Sequence, residues 1–121
     1  MASPVVHFEV MGKDGPALRR YYSELFGWQF EEVPDMDYGV VRAEEGQIGG
    51  GVGSAPSGGP SYTTFYVQVD DLEGALEKAQ SLGGSHLFGP REIPGGSRIA
   101  LFSDPEGHVV GLYAAAPSQT S

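Results

Sequence analysis

The chain has 121 residues, enough for one domain with a modest core, and its 16 Asp and Glu residues against 7 Lys and Arg give a formal net charge of −9. This charge opposes binding to nucleic acids and to anionic membranes, and the absence of cysteine excludes disulfides and thiolate chemistry. No apolar stretch approaches the about 20 residues of a membrane span and residues 1–10 do not read as a signal peptide, so a cytoplasmic location is expected.

The first half of the chain predicts one helix and four strands. Residues 5–10 are rich in β-branched and aromatic side chains and predict a strand. Asp14 suits a helix N-cap, Pro16 suits the first turn, and Gly27 follows an apolar stripe at helical spacing, where a left-handed C-terminal cap belongs. Three further strands are expected at 28–33, 38–43 and 47–52, the last one weakened by three glycines.

The second half repeats this order after a predicted linker, GSAPSGGP, at 53–60. A strand is expected at 62–69, a helix from the cap Asp71 to Gly83 and Gly84, strands at 86–88, 97–103 and 108–114, and a frayed tail at 115–121. HFEV at 7–10 matches TFYV at 64–67, and EEGQIGGGV from Glu44 resembles PEGHVVGLY from Pro105. This duplication predicts a single α+β domain of two βαβββ modules, at about 5–52 and 61–114.

Side chains alternate along a strand, so each strand has two faces. His7 and Glu9 share one face of the first strand. A polar and aromatic set shares one face of the fifth strand: Tyr62, Thr64, Tyr66 and Gln68. These faces are either solvated, as in many antiparallel sheets, or line a pocket, and the duplication favours the pocket.

Four stretches resemble the vicinal oxygen chelate superfamily: HFEV, YYSELFGWQF at 21–30, YVQVDDLEGALEKAQSLGG at 66–84 and FSDPEGHVVGLY at 102–113. Its members include glyoxalase I, bleomycin-resistance proteins, methylmalonyl-CoA epimerases and extradiol dioxygenases. The resemblance covers about residues 5–114. It implies a curved mixed sheet with a cup-shaped cavity, helices on the outer face, and a homodimer.

Metal-using members of this superfamily hold their ion with four ligands on the inner face of the cup. The motifs map these positions to His7, Gly50, Thr64 and Gly111, of which only His7 is a usual ligand. A divalent metal needs three or four His or carboxylate ligands, so we expect no metal and no other cofactor. A site rebuilt with Glu9 is the alternative. The two glycines either open the floor of the cup or are simply tolerated near strand ends.

Two functions stay open at this stage. One is metal-free binding of a small organic molecule, as implied by the bleomycin-resistance proteins, which sequester an antibiotic without chemistry. The other is an enzyme: a cofactor-free one with His7 or Glu9 as catalytic base, or a metal-dependent lyase, isomerase or dioxygenase. His7 could instead be a hydrogen-bonded residue with a purely structural role. The expected ligand-binding residues are His7, Glu9, Trp28, Tyr38, Gly50, Tyr62, Thr64, Tyr66, Gln68, Arg98, Phe102, Gly111 and Tyr113.

Overall fold

A computed structural model describes residues 2–56 and 59–117 of the chain. Residues 57–58 of the predicted linker and residues 118–121 of the predicted tail lie outside the described residues. None of the helices in these ranges is long and apolar enough to cross a membrane.

The order β-α-β-β-β occurs twice, which confirms the α+β class and the two βαβββ modules. The elements are β1 (Val5–Gly12), α1 (Gly15–Phe26), β2 (Glu31–Glu32), β3 (Tyr38–Val41), β4 (Gly49–Ser54), β5 (Tyr62–Gln68), α2 (Leu72–Ser81), β6 (Ser85–Glu92), β7 (Arg98–Ser103) and β8 (Val109–Ala114).

The strand boundaries differ most from the expected ones at β2, β4 and β6. Strand β2 has only two residues, because Trp28 packs among aromatic side chains and the chain joins the sheet only at Glu31. Strand β4 ends at Ser54, inside the predicted linker. Strand β6 continues to Glu92, through the Gly89-Pro90 pair that a sequence pattern marks as a break.

The chain divides into two compact units: a first unit of residues 6–64, and a second unit of residues 2–5 and 65–117. In the first unit the strand order is β2-β3-β4-β1, with β4 parallel to β1 and the other pairs antiparallel. In the second unit the order is β6-β7-β8-β5, again with one parallel pair, β5 and β8. The strand pairing therefore repeats the sequence duplication.

Both helices start as the sequence predicts. The Asp14 side chain accepts a hydrogen bond from the backbone N–H of Ala17 at 3.0 Å, and Gly27 ends α1 in the left-handed conformation with φ 73°. The Asp71 side chain caps α2 through the N–H of Gly74, also at 3.0 Å. These capping residues determine where each helix begins and where α1 ends.

Each helix covers one face of its sheet, and we call this the helix face and the opposite one the distal face. In the second unit, Leu72 and Leu76 of α2 form the core of the helix face with Ala100 and Leu112. In the first unit, a Cβ added at Gly12 would meet the side chain of Leu18, and one added at Gly39 would meet Arg19, so these two glycines mark the helix face under α1.

Candidate functional site

The parallel pairing of β1 and β4 places His7 and Glu9 on the distal face of the first unit. His7 pairs with Gly49 and Glu9 pairs with Gly51, and residues paired across neighbouring strands point to the same side. The shared face of His7 and Glu9 follows from their spacing of two residues. Strand β4 contributes only glycines beside them, so no β4 side chain stands between these residues and whatever covers the backbone.

Gly50 does not lie on this face, which corrects the expected position of a family ligand. It pairs with Phe8, and an added Cβ would run into the Phe8 ring on the helix face. Gly51 is the counterpart of Gly111, because Gly51 pairs with Glu9 as Gly111 pairs with Tyr66. The resemblance of EEGQIGGGV to PEGHVVGLY matches Gly50 with Gly111, one residue away from the match that the structure shows. A slip of one residue reverses the face of a strand position.

Tyr38 lies flat along the glycines of β4. Its ring occupies the place of a side chain at Gly51, since an added Cβ there would overlap the phenol hydroxyl and ring. At Gly53 an added Cβ would lie 2.8 Å from Cδ1 of the same ring and would also strike the carbonyl oxygen of Asp37. The two glycines form a floor that a Cβ at either position would destroy.

The Tyr38 hydroxyl joins His7 to Glu9. It donates to Glu9 Oε1 at 3.0 Å and lies 2.9 Å from His7 Nε2. Because the phenol proton goes to the carboxylate, the imidazole donates its Nε2–H to the phenol oxygen. The Tyr62 hydroxyl donates to the other carboxylate oxygen, Oε2, at 3.2 Å. Glu9, only 7% exposed, is thus held by two phenols, and we call these four side chains the Glu9 cluster.

The cluster changes the titration of two of its members. Burial lowers the pKa of His7 below the usual 6.5, which keeps the imidazole neutral near pH 7. Burial, followed by the charge and hydrogen bond of Glu9, raises the pKa of Tyr62 far above 10.0. Tyr62 therefore remains a hydrogen-bond donor to the carboxylate throughout the physiological range.

A buried arginine on the helix face contacts the residues that precede and follow Tyr38, Asp37 and Gly39. Arg19 is 7% exposed and donates to the carbonyl of Val52 and to Asp37, both at 3.0 Å, and its Nε lies 3.0 Å from Glu32. Its side chain also packs on Gly39. Sequence reasoning did not identify Arg19, although the glycine at position 39 leaves room for a long side chain to cross the strand.

Trp28 lies on the helix face of the first unit, away from the Glu9 cluster. Its ring is 5.1 Å from that of Phe8, 5.6 Å from Tyr22 and 5.0 Å from Phe26, between ring centroids. Since Phe8 alternates with His7, this aromatic group is on the other side of β1. Trp28, expected among the ligand-binding residues, instead packs under α1.

Thr64 lies on the same side of β5 as Tyr62 and is buried, with 6% of its surface exposed. In the second unit, Tyr66, Gln68, Gly111 and Tyr113 share the distal face. Tyr66 is 4% exposed, and a Cβ added at Gly111 would lie 2.5 Å from its ring. The Tyr113 hydroxyl lies 2.9 Å from Ser97 Oγ.

Arg98 and Phe102, two expected ligand-binding residues whose faces the sequence leaves open, lie on the helix face of the second unit and not on the distal face. Arg98 pairs in the sheet with Ala114 and forms an ion pair with Glu73 of α2. Phe102 packs against the core around Leu72. The antiparallel register of β7 and β8, which the sequence does not reveal, decides both positions.

The superfamily implies a divalent metal on the distal face, but the residues found there do not fit one. Among residues 2–56 and 59–117, no three His, Cys, Asp or Glu side chains are grouped so that they could hold an ion. The Tyr38 hydroxyl already occupies the space between His7 and Glu9. A ligating side chain at position 51 would overlap the Tyr38 ring, and one at 111 would collide with Tyr66.

An open groove of about 640 Å³ adjoins the cluster within the first unit. Tyr62 lines the groove, and its hydroxyl reaches Glu9. Apolar side chains including Met11 and Leu18 form much of the wall, with Lys13 also lining it. The groove volume is in the range of small-molecule sites.

Comparison with known proteins finds curated relatives of different names. It is 32% identical to "Putative glyoxylase CFP32" of Mycobacterium tuberculosis over 89 residues, 74% of this chain and 34% of that protein. It is 26% identical to "Anthracycline biosynthesis protein DnrV" of Streptomyces peucetius over 123 residues, 88% of this chain and 45% of that protein. The chain thus spans about a third to a half of the length of these relatives.

A solved structure of similar fold is a Streptomyces coelicolor methylmalonyl-CoA epimerase variant in complex with 2-nitronate-propionyl-CoA. The two share 14% identity with a TM-score of 0.61, over all of both chains. The family model of the Glyoxalase/Bleomycin resistance protein/Dioxygenase superfamily matches residues 5–112. With this match over most of its length and with its repeated βαβββ units, the chain belongs to that superfamily.

Proposed function

We propose that the chain binds a small organic molecule at the Glu9 cluster, on the distal face of the first unit, without a metal ion. The observation that carries this proposal is the Tyr38 hydroxyl between His7 and Glu9, which takes the place of a cation with a neutral, hydrogen-bonding group. A buried carboxylate held by two phenols offers directional hydrogen bonding and negative charge inside an apolar surround. The relatives support small organic ligands in general.

The part of the groove at Met11 and Tyr62 supplies apolar surface for the proposed site. Met11 shares the face of β1 with Glu9, and the Tyr62 hydroxyl contacts Glu9, whereas Leu18 and Tyr21 line the groove from α1, on the helix face. Met11 and Tyr62 would therefore pack against the body of the ligand while the Glu9 cluster orients its polar group. The net charge of −9 favours cationic or neutral ligands over anionic ones.

Two measurements on the purified protein test this proposal. The first is metal analysis after incubation with zinc, nickel, manganese or iron(II), for which we expect less than one tenth of an ion per chain. The second is calorimetric titration with a panel of quinones, polyketides and glycopeptides, for which we expect binding that Glu9→Gln weakens and Glu73→Gln leaves unchanged. Stoichiometric metal, or binding indifferent to Glu9→Gln, would contradict the proposal.

A cofactor-free enzyme is the second candidate, and the neutral His7 favours it. A neutral imidazole linked through Tyr38 to a carboxylate can take up a proton while the charge on Glu9 stabilises the resulting cation. The expected result is a proton transfer on an activated C–H or carbonyl substrate that both His7→Ala and Glu9→Ala abolish. Unchanged turnover in both variants would exclude this mechanism.

A homodimer in the cytoplasm remains part of the proposal. Light scattering of the purified chain at micromolar concentration would give twice the monomer mass if the homodimer forms. A monomer that still binds the ligand would show that the site does not depend on a second copy.

A further inference from the structure

We infer that Tyr38 occupies a slot for a flat phenolic ring, formed by Gly51 and Gly53 with His7 and Glu9 at its end, and that a phenol-bearing ligand replaces Tyr38 there. The inference rests on the proposed function and names the class of ligand. Its starting point is that the chain places its own phenol in the site, so the contacts of Tyr38 report what the slot accepts.

The floor of the slot selects a flat group. A Cβ at Gly51 would overlap the Tyr38 hydroxyl and ring, and one at Gly53 would lie 2.8 Å from Cδ1. Only an object about as thin as an aromatic ring can lie so close to the backbone of two alternate residues. A branched aliphatic group of similar length would be too thick.

The end of the slot selects a hydroxyl. One oxygen atom must donate to Glu9 Oε1 and accept from His7 Nε2, as the Tyr38 hydroxyl does at 3.0 and 2.9 Å. A phenol provides both functions on one atom, whereas an aryl ether lacks the proton and an aromatic amine is a poor acceptor. An ether in this place would leave the buried carboxylate short of one hydrogen bond.

Tyr38 is placed so that it can leave. It is the first residue of β3, it is only half-buried, and the preceding turn includes Met36, which is 53% exposed. A rotation of the side chain would move the ring toward solvent without breaking the clamp that Arg19 makes with Asp37 and Val52. The ligand must compete with the Tyr38 side chain for the slot. A substitution that weakens the contacts of residue 38 with His7 and Glu9 should therefore raise the affinity for the ligand.

The test uses 4-methylphenol and its ether, 4-methylanisole, which differ by the hydroxyl proton and a methyl group. Binding is followed by the backbone amide NMR signals of Gly51 and Gly53 in the wild-type chain, Tyr38→Phe and Tyr38→Ala. We expect saturable shifts with 4-methylphenol, at least tenfold weaker binding of the ether, and affinity that rises from wild type to Tyr38→Phe to Tyr38→Ala. Glu9→Gln should lower the affinity for 4-methylphenol.

Wild type and Tyr38→Phe decide the question even if Tyr38→Ala does not fold. No saturable shift at Gly51 and Gly53 in the wild-type chain, equal binding of phenol and ether, or no gain in Tyr38→Phe would each overturn the slot. If a panel compound binds with dependence on Glu9 while these two amides stay silent, the slot fails and the proposed function stands. If nothing binds in a manner that depends on Glu9, the proposed function itself fails.

Discussion

The two units place a tyrosine ring over a glycine of their last strand, but in different surroundings. In the first unit, Tyr38 comes from β3 and lies half-buried over Gly51, with its hydroxyl on a carboxylate and an imidazole. In the second, Tyr66 comes from β5 and lies over Gly111 with 4% exposure. Gly51 pairs with Glu9, whereas Gly111 pairs with the uncharged Tyr66 and Leu101.

This difference distinguishes a packing role of the buried ring in the second unit from the proposed binding role in the first. A ring that is almost fully buried over a glycine fills space, and its removal or displacement costs packing energy. A half-buried ring whose hydroxyl is tied to charged and titratable groups can exchange partners. The predictions below compare the two units directly.

The largest effect is expected at Gly111. Gly111→Ala puts a Cβ 2.5 Å from the ring of Tyr66, which is buried and has little room to move, so the free energy of unfolding should fall by about 3 kcal/mol. Urea unfolding measures this. Adding Tyr66→Leu should recover part of the loss, because the smaller side chain relieves the overlap.

Gly51→Ala should lower the free energy of unfolding less than Gly111→Ala does, but it should weaken ligand binding more. Tyr38 can rotate out of the new methyl group's way, so a loss of about 1–2 kcal/mol in unfolding free energy is expected. The displaced hydroxyl no longer bridges His7 and Glu9, so their side-chain NMR signals should shift strongly. A stability loss larger than that of Gly111→Ala would contradict the distinction between the units.

Glu9→Gln removes the charge that sets the first unit apart. The pKa of Tyr62 should fall toward 10.0, because two of the causes that raise it, the charge and the hydrogen bond of Glu9, are lost or weakened. The free energy of unfolding should fall by about 1 kcal/mol, because the hydrogen bonds from the two phenols lose their charged acceptor. Tyrosinate absorbance during an alkaline titration measures the pKa. The matched change in the second unit, Glu73→Gln, should leave Tyr62 unaffected.

The smallest effect is a pH dependence of stability. Burial lowers the pKa of folded His7 below the usual 6.5, so unfolded His7 takes up a proton first as the pH falls, the unfolded state binds more protons, and stability falls as the pH drops through 6.5. His7→Gln removes this contribution. Wild type should therefore lose more stability than the variant between pH 7 and 5 in urea unfolding. Equal losses would show that burial does not keep His7 neutral.

Much of the fold was predictable because local chemistry determines it. Asp14 and Asp71 cap helices whatever the tertiary structure, and the alternation of β1 fixes the shared face of His7 and Glu9. The βαβββ duplication followed from repeated motifs. These predictions depend on spacings of a few residues.

The contacts of the site could not be predicted, because they depend on strand register and on tertiary contacts between residues far apart in the sequence. Three consecutive glycines have no side-chain pattern, so nothing in the sequence distinguished Gly50 from Gly51 as the distal position. The sequence leaves the face of Arg98 open, because that face depends on the register of β7 and β8. Tyr38 was expected near the ligand, but its bridge to Glu9 depends on a tertiary contact across 29 residues of sequence.

The close approach of Tyr38 to Gly51 couples these two positions. A side chain at 51 and the ring of Tyr38 in its present place would occupy the same space, so a side chain at 51 requires the ring to turn away. Homologues that place a metal ligand at 51 should therefore have a small residue at 38, and the two positions should covary across the family. Introduction of a side chain at 51 should then be best tolerated when position 38 changes with it.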